Sequence, residues 1–379
     1  MSPKKLHDII ICYTFDRNIV CRGREMKELL LKIASLFYGA AIKLRHLLFD
    51  INILHSEKFD IPIICVGNIT VGGTGKTPTV EMLVEHYSQH YNVAVLSRGY
   101  GRITKGYRVV TTEDTYRQVG DEPLQMKLKY PNVTVVVCEK RAFAIHRIQE
   151  EFPEVNMIIM DDGFQHRYVN PLVNIVIVDY NRPVERDHLL PYGQLRDTTH
   201  SLYRAHYFIV TKCPETMKPI NMREKRMWLV EKPSQEIFFS RMQPAQPCAV
   251  FAEVEGTVEH GASVIAMSGI GDNEAFNRGL AQRYKVVATI DLDDHHSYRM
   301  SDLKHMSRLL EQHPGAVILT TEKDAVKLAH SQAVPKELRQ KLFYEKIAMR
   351  FVGDSRMELF ERIDNDIKNK DNGGYIKGL

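Results

Sequence analysis

A short apolar run followed by a glycine-rich turn constrains the fold of this chain more than any other feature. β-Branched residues dominate residues 61–66 and predict a strand, and the turn that follows contains Gly72, Gly73, Thr74, Gly75, Lys76 and Thr77. In such a turn, glycines let backbone N–H groups converge on phosphate oxygens, the lysine reaches the β- and γ-phosphates, and the threonine is placed to ligate Mg²⁺. Apolar residues then recur at helical spacing, at Val80, Leu83, Val84 and Tyr87. The segment predicts a strand, a phosphate-binding loop and a helix that together bind a nucleoside triphosphate.

One position departs from the strict loop pattern G-x-x-x-x-G-K-[ST]. Thr70 stands where the pattern has its first glycine. A chance glycine turn is therefore the alternative interpretation, but the strand before the loop and the helix after it favour phosphate binding.

Composition excludes several classes of protein. The length of 379 residues suggests two domains, or one large domain with insertions. The 51 basic residues exceed the 47 acidic ones by only four, which is too mild an excess to indicate a nucleic-acid partner. Six cysteines without a C-x-x-C pair indicate buried free thiols rather than a zinc site or a disulfide framework.

An amphipathic segment precedes the loop. Within residues 27–49, one face at helical spacing is apolar and comprises Leu29, Ile33, Leu36, Phe37, Ala40, Leu44 and Leu48. Basic residues flank this face, so the helix is able to lie in a lipid headgroup layer with its cations facing anionic lipid. From the pattern alone, packing of the apolar face on a protein core is the other interpretation. No apolar run reaches the ~18 residues that a membrane span needs.

The first 25 residues contain an apolar run at residues 9–13 that charged residues soon interrupt. This run is too short for the core of a signal peptide. We predict that residues 1–25 form an upstream extension, or follow a misplaced start codon, and have no functional role. The amphipathic helix is predicted to begin at Met26.

From residue 61 onward, strand-like runs alternate with helix-like segments, which predicts an α/β fold with a mostly parallel sheet. Strands are predicted at residues 61–66, 93–96, 133–138, 157–160, 174–178 and 207–210. An irregular stretch with several prolines, at residues 212–236, marks a boundary, and a second strand and helix series follows. The predicted units are a helix at 26–50, a phosphate-loop (P-loop) core at 51–215, a second, smaller α/β domain at 216–355 and a charged tail at 356–379.

Two aspartates that end an apolar strand are candidates for metal binding. Asp161 and Asp162 follow residues 157–160, and the carboxyl ends of parallel strands gather at the edge where α/β proteins bind ligands. A carboxylate there holds the magnesium that bridges the β- and γ-phosphates in phosphate-loop enzymes. A turn or a helix cap is the alternative, and the presence of the phosphate loop favours the metal.

The roles of other titratable residues stay open at this point. Asp121 follows Gly120 in a tight turn, and it either caps the next helix or accepts a proton from an attacking hydroxyl. The cluster at residues 293–296 fits surface polarity, metal binding or a histidine that positions a carboxylate base. The spacing of the charged residues at 320–324 assigns them no chemistry. Three arginines stand near predicted strand ends, at Arg98, Arg141 and Arg196. They are either solvated surface residues or clamps that bind phosphate.

Seven segments taken together resemble the tetraacyldisaccharide 4'-kinases, the lipid A 4'-kinases of Gram-negative bacteria. The resemblance covers residues 26–328 and depends on the order of the segments as well as on their content. The segments are residues 67–68 with 72–78, 97–100, 120–123, 161–166, 190–193 with 195–196, 294–296, and 320–326. The missing first glycine of the loop is itself a trait of this family.

This resemblance implies a reaction, transfer of the γ-phosphate of ATP to the 4'-hydroxyl of tetraacyldisaccharide 1-phosphate in the presence of Mg²⁺. By analogy with the family, Asp121 is the general base and His295 is its partner from the second domain. Positioning and charge neutralisation matter more in phosphoryl transfer than covalent help, which agrees with this set of residues.

The same resemblance implies ligand-binding roles. Lys76 and Thr77 serve the phosphates and the metal, and Asp161 and Asp162 act at the metal and the transition state. The residues expected to bind the substrate are Arg141, Gln165, His166 and Arg196. The sequence departs from the family pattern at Gln194, where proline is expected, and at Asp197, where glutamate is usual.

A lipid substrate changes the interpretation of residues 27–49. Their apolar face is then expected to anchor the protein on the cytoplasmic face of the bacterial inner membrane. The implied partners are the lipid and the membrane surface, and no protein partner is implied. A soluble small-molecule kinase, which needs no anchor, and a regulatory nucleotide-binding switch, which needs no base, are the competing interpretations.

Overall fold

The computed structural model describes residues 3–294, 296–329, 331 and 333–371. Its strands are β1 Ile63–Gly67, β2 Val93–Ser97, β3 Arg108–Val109, β4 Thr134–Val137, β5 Met157–Asp161, β6 Val173–Asp179, β7 Tyr207–Thr211, β8 Glu236–Pro244, β9 Cys248–Ala249, β10 Ser263–Ser268, β11 Lys285–Asp291, β12 Val317–Thr321, β13 Leu342–Glu345 and β14 Ile347–Phe351. Its helices are α1 Pro3–Asp50, α2 Lys76–Tyr87, α3 Tyr116–Val119, α4 Asp121–Lys129, α5 Arg141–Glu151, α6 Pro219–Leu229, α7 Asn273–Ala281, α8 Met300–Gln312, α9 Glu322–Ala329, α10 Lys336–Arg339 and α11 Ser355–Asp371.

Two sheets organise the described residues. The first has nine strands in the order β14-β8-β7-β6-β1-β5-β2-β4-β3, parallel from β8 to β4 and antiparallel at its two edges. The second has five strands in the order β11-β10-β12-β13-β9, of which β9 alone pairs antiparallel. The predicted α/β class with a mostly parallel sheet is confirmed.

The strands of the first sheet are apolar because helices cover both of its faces. Every residue of β1, β2, β5, β6 and β7 is buried, as expected for parallel strands between two helical layers. On one face Ile64 and Val66 pack with α2 and α11, and on the other Ile63 and Cys65 pack with α5. β1 therefore lies at the centre of the sheet, with the glycine-rich loop at its carboxyl end.

After forming the second sheet, the chain returns to the first. β8 and β14 pair antiparallel, with Pro244 opposite Ile347 and Ser240 opposite Phe351, and both belong to the nine-stranded sheet. The predicted boundaries placed β8 and β14 in the unit at 216–355, but both strands pair within the sheet of the first unit. The predicted charged tail at 356–379 contains a helix, α11, which also packs four apolar side chains into the first core, at Leu359, Phe360, Ile363 and Ile367.

The predicted start of the first helix at Met26 is wrong. Helix α1 runs from Pro3 to Asp50. Proline is tolerated at the first helical position, and no other proline interrupts the chain before Asp50. The absence of a functional role for residues 1–25 stays a prediction.

Candidate functional site

The candidate site lies where the carboxyl ends of three neighbouring strands meet. β1, β5 and β2 are adjacent in the first sheet and run parallel. The glycine-rich loop follows β1, Asp161 ends β5 and Ser97 ends β2. Open parallel sheets bind their ligands at this edge.

Side chains from neighbouring strand ends hold the glycine-rich loop in place. The Asn68 amide is buried and donates a hydrogen bond to Thr74 Oγ1 (2.8 Å). Thr211, at the end of β7, donates from Oγ1 to the Thr74 carbonyl (2.6 Å), and Lys212 donates from Nζ to the Gly73 carbonyl (2.7 Å). These three hydrogen bonds fix the loop at residues 73–74.

Position 75 requires glycine for two reasons. Its φ of 98° lies in the left-handed region that other residues avoid. An added Cβ would lie 2.4 Å from Met242 Cε and 3.3 Å from Thr211 Cγ2. Helix α2 begins at the next residue, Lys76, so the amino end of the helix faces the loop, which favours an anionic ligand.

Lys76, Asp162 and Arg196 form an ion cluster beside the loop. Asp162 Oδ1 lies 3.6 Å from Lys76 Nζ, and Asp162 Oδ2 accepts a hydrogen bond from Arg196 Nη1 (2.8 Å). Arg196 Nη2 also contacts Asp162 and donates to the Asn68 carbonyl (3.1 Å). Although burial favours the neutral acid, the Arg196 hydrogen bond and the charge of Lys76 hold the pKa of Asp162 below its ordinary value. The structure brings together three residues that the sequence predicted separately.

Backbone pairing places Arg196 in this cluster. The Arg196 N–H donates to the Ile69 carbonyl (2.8 Å), and the Val71 N–H donates to the Gln194 carbonyl (2.9 Å). Gln194 contributes here through its backbone, so its departure from the family pattern does not alter this contact.

Asp161 has an oxygen to offer to a cation. Ser97 Oγ donates to Asp161 Oδ2 (3.2 Å), whereas Asp161 Oδ1 is buried without a hydrogen-bond partner among the described residues. Burial, together with the Glu122 and Asp162 carboxylates, raises the pKa of Asp161 to about 7. The anionic form is therefore costly here, and a bound cation would relieve that cost.

The surroundings of Asp161 suit Mg²⁺ better than a metal with a full set of protein ligands. Within the described part of the chain, no three side chains of His, Cys, Asp or Glu converge on one point. Mg²⁺ is usually bound by one or two carboxylates, with substrate phosphates and water completing its coordination. Thr77, the predicted second ligand, is the second residue of α2.

Asp121 is contacted by a lysine from the second half of the chain. Lys327 of α9 places its Nζ 3.1 Å from Asp121 Oδ2, and both side chains are buried. Asp121 is the first residue of α4 and Gly120 is the N-cap, so the interpretation of Asp121 as a helix cap is wrong. Gly120 has a φ of 96°, and an added Cβ would lie 3.1 Å from Gly99 Cα. Glycine thus lets α4 begin close to the loop that follows β2.

The other predicted substrate residues hydrogen-bond to the backbone at the ends of β1, β4 and β5 and to one another. Arg141 is buried and donates from Nη1 to the Cys138 carbonyl (2.7 Å) and from Nη2 to the Asp161 carbonyl (3.4 Å). Gln165 donates from Nε2 to the Asn68 carbonyl (2.7 Å). His166 Nε2 accepts the Arg141 backbone N–H (3.3 Å), and burial, with the charge of Arg141, lowers the pKa of His166 to about 4.

The cluster at 293–296 is only partly described. His295, the predicted partner of Asp121, lies outside the described residues. His296 Nε2 lies 2.9 Å from Asp302 Oδ2, and the His296 carbonyl accepts a hydrogen bond from Lys327 Nζ (3.1 Å). Asp294 Oδ1 pairs with Lys323 Nζ (3.1 Å).

Sequence reasoning missed two groups of residues at this site. Thr211 and Lys212 support the loop, and their signal was their place at the end of a predicted strand next to β6. Lys327 was missed because its segment, 320–326 and beyond, looked only like a charged helix start. Its contact with Asp121 joins residues about two hundred positions apart, which local spacing does not reveal.

Polar contacts attach α1 beside the same site. Ser35 Oγ donates to the Leu189 carbonyl (2.8 Å), and Tyr38 OH donates to the Arg196 carbonyl (3.1 Å). His46 Nε2 lies 2.7 Å from Asp197 Oδ1, a side chain that is almost fully buried. The helix therefore faces the protein with its polar residues.

The apolar face of α1 points away from the protein core. Leu36 and Phe37 are each 74% exposed, the other residues of the predicted face from Leu29 to Leu44 are exposed as well, and Leu48 is half-buried. The interpretation that this face packs on the core is wrong. Beside it runs a groove of about 1040 Å³, whose lining includes Leu36, Lys43 and the chain's one tryptophan, Trp228. No helix in the described residues is both long enough and apolar enough to cross a bilayer.

Comparison with known proteins identifies relatives along nearly the whole chain. The profile of the family described as LpxK, tetraacyldisaccharide-1-P 4'-kinase, matches residues 27–368. A tetraacyldisaccharide 4'-kinase of Porphyromonas gingivalis is 38% identical over 349 residues, which cover 90% of this chain and 97% of the relative. One from Bacteroides thetaiotaomicron is also 38% identical, over 80% of this chain and 84% of the relative.

A solved structure is similar to this chain in fold. It is a crystal structure of LpxK from Aquifex aeolicus, described as an "apo" form in complex with ATP, with 27% sequence identity and a TM-score of 0.68. The match covers 89% of this chain and 99% of the other.

Proposed function

The chain belongs to the family of tetraacyldisaccharide-1-phosphate 4'-kinases, and we propose that it transfers the γ-phosphate of ATP to the 4'-hydroxyl of tetraacyldisaccharide 1-phosphate, a reaction of lipid A synthesis. One observation carries this proposal: a phosphate loop, a pair of aspartates and the buried Asp121 lie around one edge of the first sheet. The ATP found in the similar structure of LpxK from Aquifex aeolicus supports the choice of nucleotide.

In this proposal the nucleotide phosphates lie on residues 72–77. Lys76 would contact the β- and γ-phosphates, while Arg196 keeps Asp162 oriented through its paired hydrogen bonds. Thr77 and Asp161 are the residues proposed to hold Mg²⁺, and the unpartnered Asp161 Oδ1 supports this choice. When bound, the ion would neutralise charge on the β- and γ-phosphates.

Asp121 is proposed as the general base that accepts the proton of the 4'-hydroxyl. Its burial at the start of α4 and the influence of neighbouring Glu122 on Asp161 support a position close to the metal site. His295 is proposed as its partner, following the family resemblance.

Arg141, Gln165, His166 and Arg196 are proposed to serve the substrate. The hydrogen bond from Arg141 to the Asp161 carbonyl supports an indirect role, in which the guanidinium fixes the end of β5. Gln165 and Arg196 both donate to the Asn68 carbonyl. Through these hydrogen bonds, residues proposed to bind the lipid acceptor are connected to the start of the phosphate loop.

The proposed reaction is tested by incubating the protein with γ-labelled ATP, Mg²⁺ and detergent-dispersed tetraacyldisaccharide 1-phosphate. Labelled lipid is expected, and label at the 4'-position identifies the acceptor. ATP turnover without labelled lipid would contradict the acceptor while leaving the nucleotide site intact. A small-molecule kinase would instead label a water-soluble sugar acceptor supplied in the same assay.

The exposed face of α1 is proposed to bind the cytoplasmic face of the inner membrane. A row of exposed apolar side chains is costly in water, and Lys32 and Lys43 beside it suit anionic headgroups. The polar contacts of Tyr38 and His46 with residues 196 and 197 would hold the catalytic edge near that surface. A lipid acceptor is then reached without leaving the bilayer.

Substituting Leu36→Ser and Phe37→Ser together should weaken binding to anionic vesicles by about 10²-fold, because two apolar side chains no longer enter the lipid. Co-sedimentation measures the binding, and the fluorescence of Trp228 reports approach of the groove to lipid. Met357→Ser removes an apolar side chain of similar exposure from α11 and should leave binding unchanged. Equal binding by all three proteins would refute the anchor.

Substituting Arg196→Lys should lower kcat by up to about 10²-fold, because an ammonium lacks the planar fork that contacts both Asp162 oxygens and the Asn68 carbonyl. Steady-state transfer assays measure the change. Arg147→Lys alters an exposed ion pair with Glu151 on α5 and serves as the control. The same kcat in both variants would exclude a role for the paired hydrogen bonds.

A further inference from the structure

A lysine with no exposed side-chain surface lies between the two halves of the chain. Lys327 belongs to α9, beside the second sheet, and its side chain is 0% exposed. Lysine is almost never fully buried unless its charge is paired. The contacts of its ammonium group therefore indicate the role of the Lys327 side chain.

Three acceptors surround the Lys327 ammonium group. Asp121 Oδ2 lies at 3.1 Å, the His296 carbonyl at 3.1 Å and Asp324 Oδ1 at 3.8 Å. The first two lie within hydrogen-bond distance of the ammonium, whereas Asp324 Oδ1 contributes its charge as an ion pair without a hydrogen bond. Two of the acceptors belong to the second half of the chain, and only Asp121 belongs to the first.

Contacts within the second half of the chain hold the Lys327 side chain in place. Asp324 Oδ2 accepts hydrogen bonds from the Gly269 N–H (2.8 Å) and from Thr321 Oγ1 (2.7 Å), and Asp324 is fully buried. Asp324 and Lys327 lie three residues apart on one face of α9. A rigid carboxylate and a backbone carbonyl thus aim the ammonium at the start of α4.

We propose that Lys327 is a positioning residue for phosphoryl transfer, which holds the Asp121 carboxylate in place from the second half of the chain. This inference rests on the proposed role of Asp121 as general base. Pinning Oδ2 and compensating its charge fixes the orientation of the carboxylate toward the acceptor hydroxyl. The base is then complete only while α9 is docked on α4.

A purely structural ion pair between the same two helices provides the comparison. Lys129 of α4 pairs with Glu322 of α9 (3.5 Å) and with Glu81 (2.6 Å). It links the two halves as Lys327 does, but within the described residues its ion pairs are with Glu81 and Glu322 and not with Asp121. Lys129→Met therefore removes an interhelical ion pair and leaves the base untouched.

The experiment is a double-mutant cycle of Lys327→Met and Asp121→Asn, assayed for phosphate transfer to the lipid at saturating ATP. In the wild-type background, Lys327→Met should lower kcat by about 10–10²-fold while the KM for ATP changes by less than about threefold. In the Asp121→Asn background it should change kcat by less than about threefold, because the group it positions is already lost. Lys129→Met should keep the wild-type kcat.

Each other outcome overturns the inference. Wild-type kcat in Lys327→Met means that the lysine does not position the base. Equal losses in both backgrounds, or an equal loss in Lys129→Met, mean that it acts on the fold and not through Asp121. Full activity of Asp121→Asn refutes the base itself, a failure that the single Lys327 variant does not produce.

A second variant guards against misfolding, since removing one partner of a buried ion pair is destabilising. Circular dichroism and the thermal midpoint are measured for every variant. If Lys327→Met is recovered unfolded, Lys327→Gln repeats the cycle, because its amide keeps a donor for the His296 carbonyl. The same comparison of the two backgrounds then decides.

Discussion

Replacing Asp121 with asparagine should lower kcat for phosphate transfer by about 10²–10⁴-fold, because an amide oxygen cannot accept the proton of the attacking hydroxyl. Asparagine has nearly the same shape, so the start of α4 should be kept. The KM for ATP should change by less than about threefold, since the nucleotide is bound by the loop after β1. Steady-state kinetics with labelled ATP measure both constants.

A matched control for this variant is Asp114→Asn. Asp114, like Asp121, is a buried acid paired with a basic side chain, here Arg108, but it lies in the turn after β3. Its substitution should lower the thermal midpoint and leave kcat unchanged. The base assignment is refuted if Asp121→Asn retains as much activity as this control.

Replacing Lys76 with alanine should lower kcat by about 10²–10³-fold, the usual effect of removing one preorganised group that stabilises transition-state charge. The lysine begins α2 and lies 3.6 Å from Asp162, so it is already held at the edge of the loop. Charge on the transferred phosphoryl group would then lose one of the cations that the protein supplies. The measurement is single-turnover transfer at saturating ATP and lipid.

The pattern of constants discriminates between two roles of Lys76. A rise in the KM for ATP at unchanged kcat would mean that the lysine binds ground state and transition state equally, contrary to the expectation. Lys285→Ala removes an exposed lysine from β11, at the far edge of the second sheet, and should change neither constant.

The central strands and the loop were predictable because their signals are local. β1, β2, β5, β6 and β7 are short β-branched runs, and each begins within two residues of its predicted start. Their burial on both faces makes the run nearly continuous, which is the pattern that a parallel strand leaves in a sequence. The paired aspartates at the end of β5 followed from the same regularity.

The membership of β8, β14 and α11 was not predictable from their own residues. A strand's sequence indicates that it is a strand, but its partner depends on contacts made far along the chain. β14 pairs with β8 across about a hundred residues, and the charged surface of α11 conceals the side that packs on the first core. The sequence of an amphipathic helix shows that one face is buried, but it does not indicate which sheet that face packs on.

The site was predictable in part for the same reason. Family motifs predicted roles for Asp121, Asp162 and Arg196, and the structure adds the contacts among Asp162, Arg196 and Lys76. Lys327 was hard to distinguish from a solvated lysine, because α9 begins with three charged residues and two of them, Lys323 and Asp324, lie one turn before it. Its contact with Asp121 depends on the packing of α9 against α4, which joins distant parts of the chain.

The pairing of β8 with β14 also has a mechanical consequence. The chain leaves the first sheet at Pro244 and returns at Ile347, and these residues are register partners, about 5 Å apart as neighbouring strands are. Residues 245–346 are thus tethered like the tip of one long hairpin. A short tether maintains an effective concentration on the order of millimolar or more. If α9 separated from α4, the two helices would dock again in an intramolecular step. The rate of that step does not depend on the protein concentration.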